Sequence, residues 1–387
     1  MDFTESDEQA MLREAVASIA AKYGHAYYTG KARSDQKTDE LWDELGAQGF
    51  LGVNVPEAHG GGGMGISELA IVLEELATAG CPLLMMVVSP AICATIIAQF
   101  GTEEQQRRWL PRFATGELKM AFAITEPDAG SNSHNIATTA TLDGDLYRLT
   151  GTKYYISGCD EAEAALVVTR TGVDPDSGRG RLSLFVVDLD SPGLEKTVIP
   201  VEIVAPEKQF TLFFDNVEVP ADRLVGTEGD GLRQVFVGLN PERIMSAALA
   251  NGIGRYALER AAEYARERAV WGTPIGRHQG LAHPLAISKI EVELARLMTQ
   301  KAAWACDNGL DPALAGEAAN MAKYAAAEAT LKALDQSIQT HGGNGMSTEF
   351  GLADMWGAAR LIRTAPVSRE MILNFVAQHS LGLPKSY

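Results

Sequence analysis

Residues 122–131 read Phe-Ala-Ile-Thr-Glu-Pro-Asp-Ala-Gly-Ser, an apolar strand-like start running into a turn. The hydroxyls of Thr125 and Ser131 and a run of backbone N–H groups crowd into a few positions. Converging donors of this kind suit an electron-rich ring or a phosphate. A surface turn has the same local composition, and on these residues alone it is the plainer reading. Other tempting strings fail on context. Gly252-Ile253-Gly254-Arg255-Tyr256-Ala257 spells a dinucleotide fingerprint but lies inside a helical run and follows no strand, so it cannot form a strand–turn–helix phosphate loop. His59-Gly60-Gly61-Gly62-Gly63 looks like an oxyanion loop, yet no Gly-x-Ser-x-Gly elbow accompanies it. A flexible loop entering a helix at Ser67 is the better account. No His-Glu-x-x-His, Walker, EF-hand or Cys-x-x-Cys string occurs, so no metal site is expected.

Three textures along the chain must position these residues. Up to about residue 118 apolar residues recur at helical spacing, as in 41–45 and 67–76, and Thr4 stands three residues before Asp7 as a cap for the first helix. From 119 to 226 short β-branched and aromatic runs (146–156, 164–169, 182–188 and 210–214) are separated by Gly, Pro, Asp and Ser, which predicts an antiparallel sandwich or barrel. From 227 onward Ala-rich helices near 229–270, 282–308, 312–340 and 351–380 predict a four-helix bundle. The expected fold class is therefore α+β: an N-terminal helical domain (1–118), a middle β domain (119–226) and a C-terminal helical bundle (227–387). The uncharged stretch 76–102 is broken by Gly80-Cys81-Pro82 and Ser89-Pro90, so it reads as short buried helices and not as a membrane span.

Composition excludes several classes. The chain has 387 residues, 46% hydrophobic and 21% charged, with a net charge of −17. That balance is globular, and its acidity disfavours nucleic acid or an anionic membrane as a general partner. Cys81, Cys93, Cys159 and Cys306 are widely spaced and read as reduced thiols in a cytoplasmic setting. The acidic, amphipathic start is unlike a signal peptide.

Taken together, the longer strings resemble the acyl-CoA dehydrogenase family. Phe122-x-x-Thr125-Glu126-Pro127-x-Ala129-Gly130-Ser131 is similar to its flavin-binding segment. Gly151-x-Lys153-x-Tyr155-Ile156-Ser157 resembles the second flavin segment, with Tyr155 where Trp is frequent. Arg268-x-x-Trp271-Gly272-x-x-Ile275, leading to His278-Gln279, resembles the stretch that reaches the cofactor pyrophosphate and adenosine of a neighbouring subunit. Gln339-x-His341-Gly342-Gly343-Asn344-Gly345 resembles the Gly-Gly-x-Gly turn of that distal site. The resemblance implies FAD, contacted by Phe122, Ile124, Thr125, Gly130, Ser131, Tyr155, Ile156, Ser157, Arg268, Trp271, His278, Gln279, Gln339, Gly342 and Gly343, with Ser368 and Glu370 at further cofactor positions. Glu370 stands where Gln is frequent. Ser131, Asn240 and Arg243 fall near the CoA arm. A homotetramer built as a dimer of dimers, an acyl-CoA substrate oxidised in fatty acid β-oxidation, and electron-transfer flavoprotein as acceptor are also implied.

In this family the flavin takes a hydride from the acyl β-carbon while a carboxylate removes the α-proton; a cofactor hydroxyl and a backbone N–H polarise the thioester. Many members place the carboxylate in a Tyr-Glu-Gly-Thr string. Counted from the Gly342-Gly343 turn, that string falls at Ala365-Pro366-Val367-Ser368, and Pro366 has no ionisable group. Asn240-Pro241-Glu242-Arg243-Ile244 resembles the helix segment that carries the base in the isovaleryl-CoA and long-chain subgroups. Glu242 is the expected base. As a lone helix Glu-Arg pair it would otherwise read as exposed surface. Pro241 is expected to kink the helix and aim the carboxylate. A flavin oxidase or monooxygenase of the same fold, and a partner-dependent or non-catalytic subunit, remain as alternatives; Glu242 argues against the first, and Pro366 with Val367 motivates the second.

Overall fold

The computed structural model describes residues 4–385; Met1–Phe3 and Ser386–Tyr387, the outer ends of the expected first and last domains, lie outside the described residues. The N-terminal lobe is helical: α1 (Asp7–Arg33), α2 (Asp39–Ala47), α3 (Ile66–Thr78), α4 (Met85–Val88), α5 (Thr95–Phe100) and α6 (Glu103–Ala114). The cap of α1 is Ser6, paired with Gln9, where the spacing predicted Thr4. The Ser6–Gln9 pair satisfies donors in both directions as a capping box. Between α4 and α5, Ser89–Ala94 forms a π-helical turn; the uncharged stretch is mostly buried and is broken at Gly80-Cys81-Pro82 as expected, but Ser89-Pro90 only widens a helical run that continues from Met85 to Phe100. Among the described residues no helix is long and apolar enough to cross a membrane.

The glycine run after His59 is not loose. Gly62 N–H donates to the Gly52 carbonyl (2.9 Å), Gly63 N–H to Val55 (2.9 Å) and Met64 N–H to Val53 (2.8 Å). A Cβ on Gly61 would lie 2.2 Å from the Val55 oxygen, so close backbone approach explains that glycine.

The middle region is one eight-stranded sheet in the order β6-β7-β3-β2-β4-β5-β8, with β1 paired to β4. Its strands are β1 (Met120–Ala123), β2 (Thr139–Asp143), β3 (Leu146–Ser157), β4 (Ala164–Val173), β5 (Gly180–Asp188), β6 (Leu194–Ile199), β7 (Gln209–Pro220) and β8 (Leu224–Val225). Most pairings are antiparallel, but β1–β4 and β2–β4 are parallel. One face of β4 and β5 packs into the helical core and the other into a second cluster around Phe185, Phe210 and Phe214. Burial on both faces explains their unbroken apolar runs.

Beyond the sheet lie α7 (Gly231–Glu267), a short hairpin β9 (Ala269–Val270) and β10 (Thr273–Pro274), α8 (Gln279–Asp307), α9 (Pro312–His341), α10 (Trp356–Thr364) and α11 (Arg369–Phe375). The expected fourth long helix is thus two short ones, α10 and α11. Pro366 has no N–H to continue a ladder and biases Ala365 away from helical geometry; Ala365 is extended (φ −109°, ψ 156°), and Ser368 restarts the chain as a new cap. The discounted Gly252 and Gly254 lie inside α7, as expected. A Cβ on Gly252 would lie 2.5 Å from the Glu74 oxygen, and one on Gly254 3.1 Å from Thr330 Oγ1. They let α7 approach α3 and α9 closely. The lobes are tied as well as packed: Asp307, at the end of α8, accepts from Ile66 N–H (2.7 Å) and Ser67 N–H (2.9 Å). It fills the capping role that Gly65 cannot.

Candidate active site

The two segments of 122–131 and 151–157 are built as one unit. Tyr154 N–H donates to the Thr125 carbonyl (2.8 Å). Lys153, fully buried, donates to the Ile124 carbonyl (3.1 Å) and to Glu126 Oε1 (2.8 Å). Glu126 also accepts from Ala137 N–H (2.7 Å) and Thr138 N–H (3.0 Å). Burial alone would raise the Glu126 carboxyl, but the Lys153 charge and these hydrogen bonds more than offset it and hold the group below its ordinary range. The pair therefore clamps both ends of the 124–138 turn to strand β3. Both residues stand in the quoted motifs, but neither was given a role from the sequence; a Lys inside a predicted strand was the available signal.

This clamp presents Tyr155. Its backbone sits at φ 57°, in a region unusual for a bulky residue, and its side chain is 52% exposed beside Tyr154. A bulky residue in this region costs energy, and such outliers cluster at active sites and ligand clamps. Phe122 and Ile156 are buried, Ile124 and Thr125 half-buried, and Gly130 and Ser131 exposed in the turn. The Ser157 hydroxyl donates to Gln209 Oε1 (3.0 Å).

Helix α7 reaches the same region through the π-helical turn. Cys93 Sγ contacts the carbonyl of Ala121 on β1 (3.5 Å) and also lies within electrostatic reach of Glu242. Gly238 lets α7 press on this turn, since a Cβ there would be 2.8 Å from Ile96 and 3.0 Å from Ile92. One helical turn later comes Glu242. It keeps some accessible surface although its carboxyl lies deep among protein atoms, so it is reachable but poorly hydrated. Burial pushes the Glu242 carboxyl up to about 7, opposed by the charges of Arg243 and Lys323. Arg243 is buried and donates to Asn240 Oδ1 (2.7 Å). Pro241 lies within a helix that continues through it, so its observed effect is a missing N–H donor, not a break.

The 365–368 turn arrives from the far end of the chain. Lys323 on α9, 1% exposed, donates to the Val367 carbonyl (2.5 Å) and is also within reach of Glu242. Ser368 Oγ accepts from Met371 N–H (3.3 Å) as the cap of α11, and Glu370 is exposed in its first turn. Lys323 is a site residue the sequence reading missed; one Lys in an Ala-rich helix gave little signal.

The remaining predicted residues gather elsewhere. Arg268, Trp271, His278, Gln279, Gln339, Gly342 and Gly343 are all exposed beyond the other end of α7. Asn344 Nδ2 donates to the Tyr264 hydroxyl (3.1 Å) and the Tyr264 and His341 rings stack at 4.2 Å, which joins the 341–345 turn to the end of α7. Trp271 is 92% exposed at φ 52°. At 1.5 Å per residue, this cluster is roughly 38 Å along α7 from Glu242. Within one chain the predicted cofactor residues thus form two separate groups.

A helical lobe, a central sheet and a C-terminal set of helices make up the scaffold that carries these residues. Residues 6–117, 121–217 and 229–381 match the N-terminal, middle and C-terminal domains of acyl-CoA dehydrogenase, respectively. The chain belongs to the acyl-CoA dehydrogenase family, whose members are FAD-dependent oxidoreductases. It is 60% identical over 385 residues to acyl-CoA dehydrogenase FadE12 of Mycobacterium tuberculosis, covering 100% of this chain and 99% of that protein. Among solved structures, a glutaryl-coenzyme A dehydrogenase–glutaryl-CoA complex matches with TM-score 0.92 at 31% identity, covering 100% of this chain and 98% of that one. PigA with FAD and proline matches with TM-score 0.91 at 27% identity, covering 99% and 100%.

Proposed function

We propose that this protein desaturates an acyl-CoA thioester to the trans-2-enoyl-CoA, with Glu242 as the base that removes the α-proton. The observation that carries the reading is Glu242 itself: a residue that keeps some accessible surface, with a poorly hydrated carboxyl whose proton affinity is raised to about 7, in a chain where the other familiar position is Pro366. A carboxylate tuned near neutrality is a stronger base and still about half ionised in a neutral medium. Asn240 and Arg243, bonded to each other, stand beside it to receive the CoA arm with Ser131. Since Pro366 has no N–H, any donor from that turn to the thioester must come from Val367 or Ser368.

The residues fit a flavin. The Lys153–Glu126 clamp holds Ile124, Thr125 and the turn through Ser131 against Tyr155, Ile156 and Ser157, next to β1 and the π-helical turn that reaches Glu242. FAD, when bound, accepts the hydride from the acyl β-carbon. The exposed group around Arg268 cannot reach this place in its own chain, so it serves the cofactor of a second copy, together with Trp271, His278, Gln279, Gln339, Gly342 and Gly343. Assembly is further supported by α8, where Ile287, Ile290, Leu294, Leu297 and Trp304 form an exposed apolar stripe at helical spacing. A homotetramer and electron-transfer flavoprotein as acceptor complete the proposal.

The deciding experiment is a panel of acyl-CoAs of varied length and branching, scored by anaerobic bleaching of the flavin. At least one should bleach it to completion, and the reduced protein should reoxidise slowly in air. A colourless protein that takes up no added FAD, or no bleaching with any thioester, would refute the dehydrogenase reading. Rapid reoxidation by oxygen would instead favour an oxidase.

Arg268→Ala is expected to lose FAD progressively on dilution while the undiluted protein retains it. A cation facing an anionic pyrophosphate across a subunit boundary makes cofactor affinity depend on assembly. Flavin content measured after serial dilution and filtration checks this; equal retention by both proteins would remove Arg268 from the cofactor site.

A further inference from the structure

We propose that Lys323 is a positioning residue for proton abstraction: its ammonium pins the 366–368 turn beside Glu242 and keeps a positive charge next to that carboxylate. The inference rests on the reading of Glu242 as the base. Its geometric support is the tether from Lys323 Nζ to the Val367 carbonyl at 2.5 Å, made by a side chain that is only 1% exposed. An ammonium is among the most strongly hydrated side-chain groups, and a neutral amide can make the same bond to a carbonyl. Burying a Lys for this contact therefore points to a use for its charge.

The charged surroundings agree. Arg243 from α7, Lys323 from α9 and the Cys93 thiol from the π-helical turn face Glu242. Around Lys323 stand Glu242 and Arg243 from α7, Glu328 from its own helix and Glu370 from α11. Burial lowers the Lys323 ammonium to about 8, aided by Arg243 and opposed by the three carboxylates, so it still carries its charge at neutral pH. Arg243 is bonded to Asn240 and covers the α7 side of the site. Lys323 supplies the cation on the side where the 365–368 turn closes it. A nearby cation favours the ionised form of a carboxylate, so Lys323 limits how far burial can raise Glu242.

The test follows the titration of Glu242 in the FAD-loaded protein in two ways. One is the pH dependence of flavin reduction by an acyl-CoA in rapid mixing. The other is the infrared carboxyl band that disappears in Glu242→Gln, followed without substrate. In the native protein the midpoint should lie near 7. Lys323→Met keeps the stem and removes the charge; its midpoint should rise by about one pH unit, and Lys323→Arg should restore it. Lys323→Gln retains a donor for Val367 and should shift the midpoint as Met does, so it carries the test if the Met variant fails to fold. An unshifted midpoint in the folded neutral variants, or a shift that Arg does not correct, would overturn the proposal. If Glu242→Gln itself reduces flavin normally, the base assignment fails independently of Lys323. If Glu242→Gln is inactive and the Lys323 variants titrate normally, only the positioning role fails.

Discussion

Glu242→Gln should lower the rate of flavin reduction by about 10²–10⁴-fold while FAD content and acyl-CoA binding stay close to native. Glutamine preserves the shape and most polar contacts but cannot accept the α-proton. The loss falls in the transition state, so kcat should drop far more than KM changes. The pH profile gives the assignment a second signature. Because burial raises the carboxyl to about 7, the native protein should reduce its flavin faster as pH rises through that value, the ionised form being the base. That limb should be absent from the residual activity of the variant. Pro366→Glu in the Glu242→Gln background places a carboxylate in the neighbouring turn and should recover a fraction of the rate, limited by Val367. Near-normal reduction by Glu242→Gln would move the base elsewhere in the molecule.

Lys153→Met is expected to destabilise the protein by about 3–5 kcal/mol and to empty the flavin site, although Lys153 is placed away from the reacting atoms. The physical reason is asymmetric. The Lys153–Glu126 pair is buried, and each partner is charged because the other is there. Removing the ammonium leaves Glu126 with neutral donors from Ala137 and Thr138 and no cation beside it to offset its burial, and takes the Lys153 bond from the Ile124 carbonyl. The turn that presents Thr125 to Ser131 then loses its anchor on β3. Neutralising both partners, as Lys153→Met with Glu126→Gln, should restore part of the stability, since the uncompensated charge is gone. Chemical denaturation followed by fluorescence, together with the flavin-to-protein ratio, measures both effects. A single variant that stays within about 1 kcal/mol of native and keeps its flavin would show that the clamp has no such role.

Much of this molecule was legible in its residues. Apolar periodicity marks α2 and α3, Ala-rich composition α7 and α9, and β-branched runs β4 and β5, because these patterns are set by neighbours a few positions apart. The break in the uncharged stretch followed from Gly80-Cys81-Pro82, and the misleading glycines of 252–254 from their helical context, whereas Ser89-Pro90 yields a π-helical turn and not a break. Proline at 366 excluded a base there by chemistry alone. Where local preference competes with a neighbouring option, the sequence was less decisive: Ser6 caps α1 where Thr4 was expected, the last long helix is divided at Ala365-Pro366, and the sheet includes parallel pairings.

What only the tertiary structure decided is proximity and hydration. It brings Glu242, Lys323 and Val367 together from α7, α9 and the turn after α10. It also buries Lys153 against Glu126 across two segments. A sequence gives a carboxylate its type and its place on a helix, but its proton affinity depends on water excluded and charges approached by residues distant in the chain. The separation of Glu242 from the Arg268 group along one rigid helix has the same origin. Spacing in sequence states how many residues intervene, and only the fold converts that number into a distance that one chain cannot bridge.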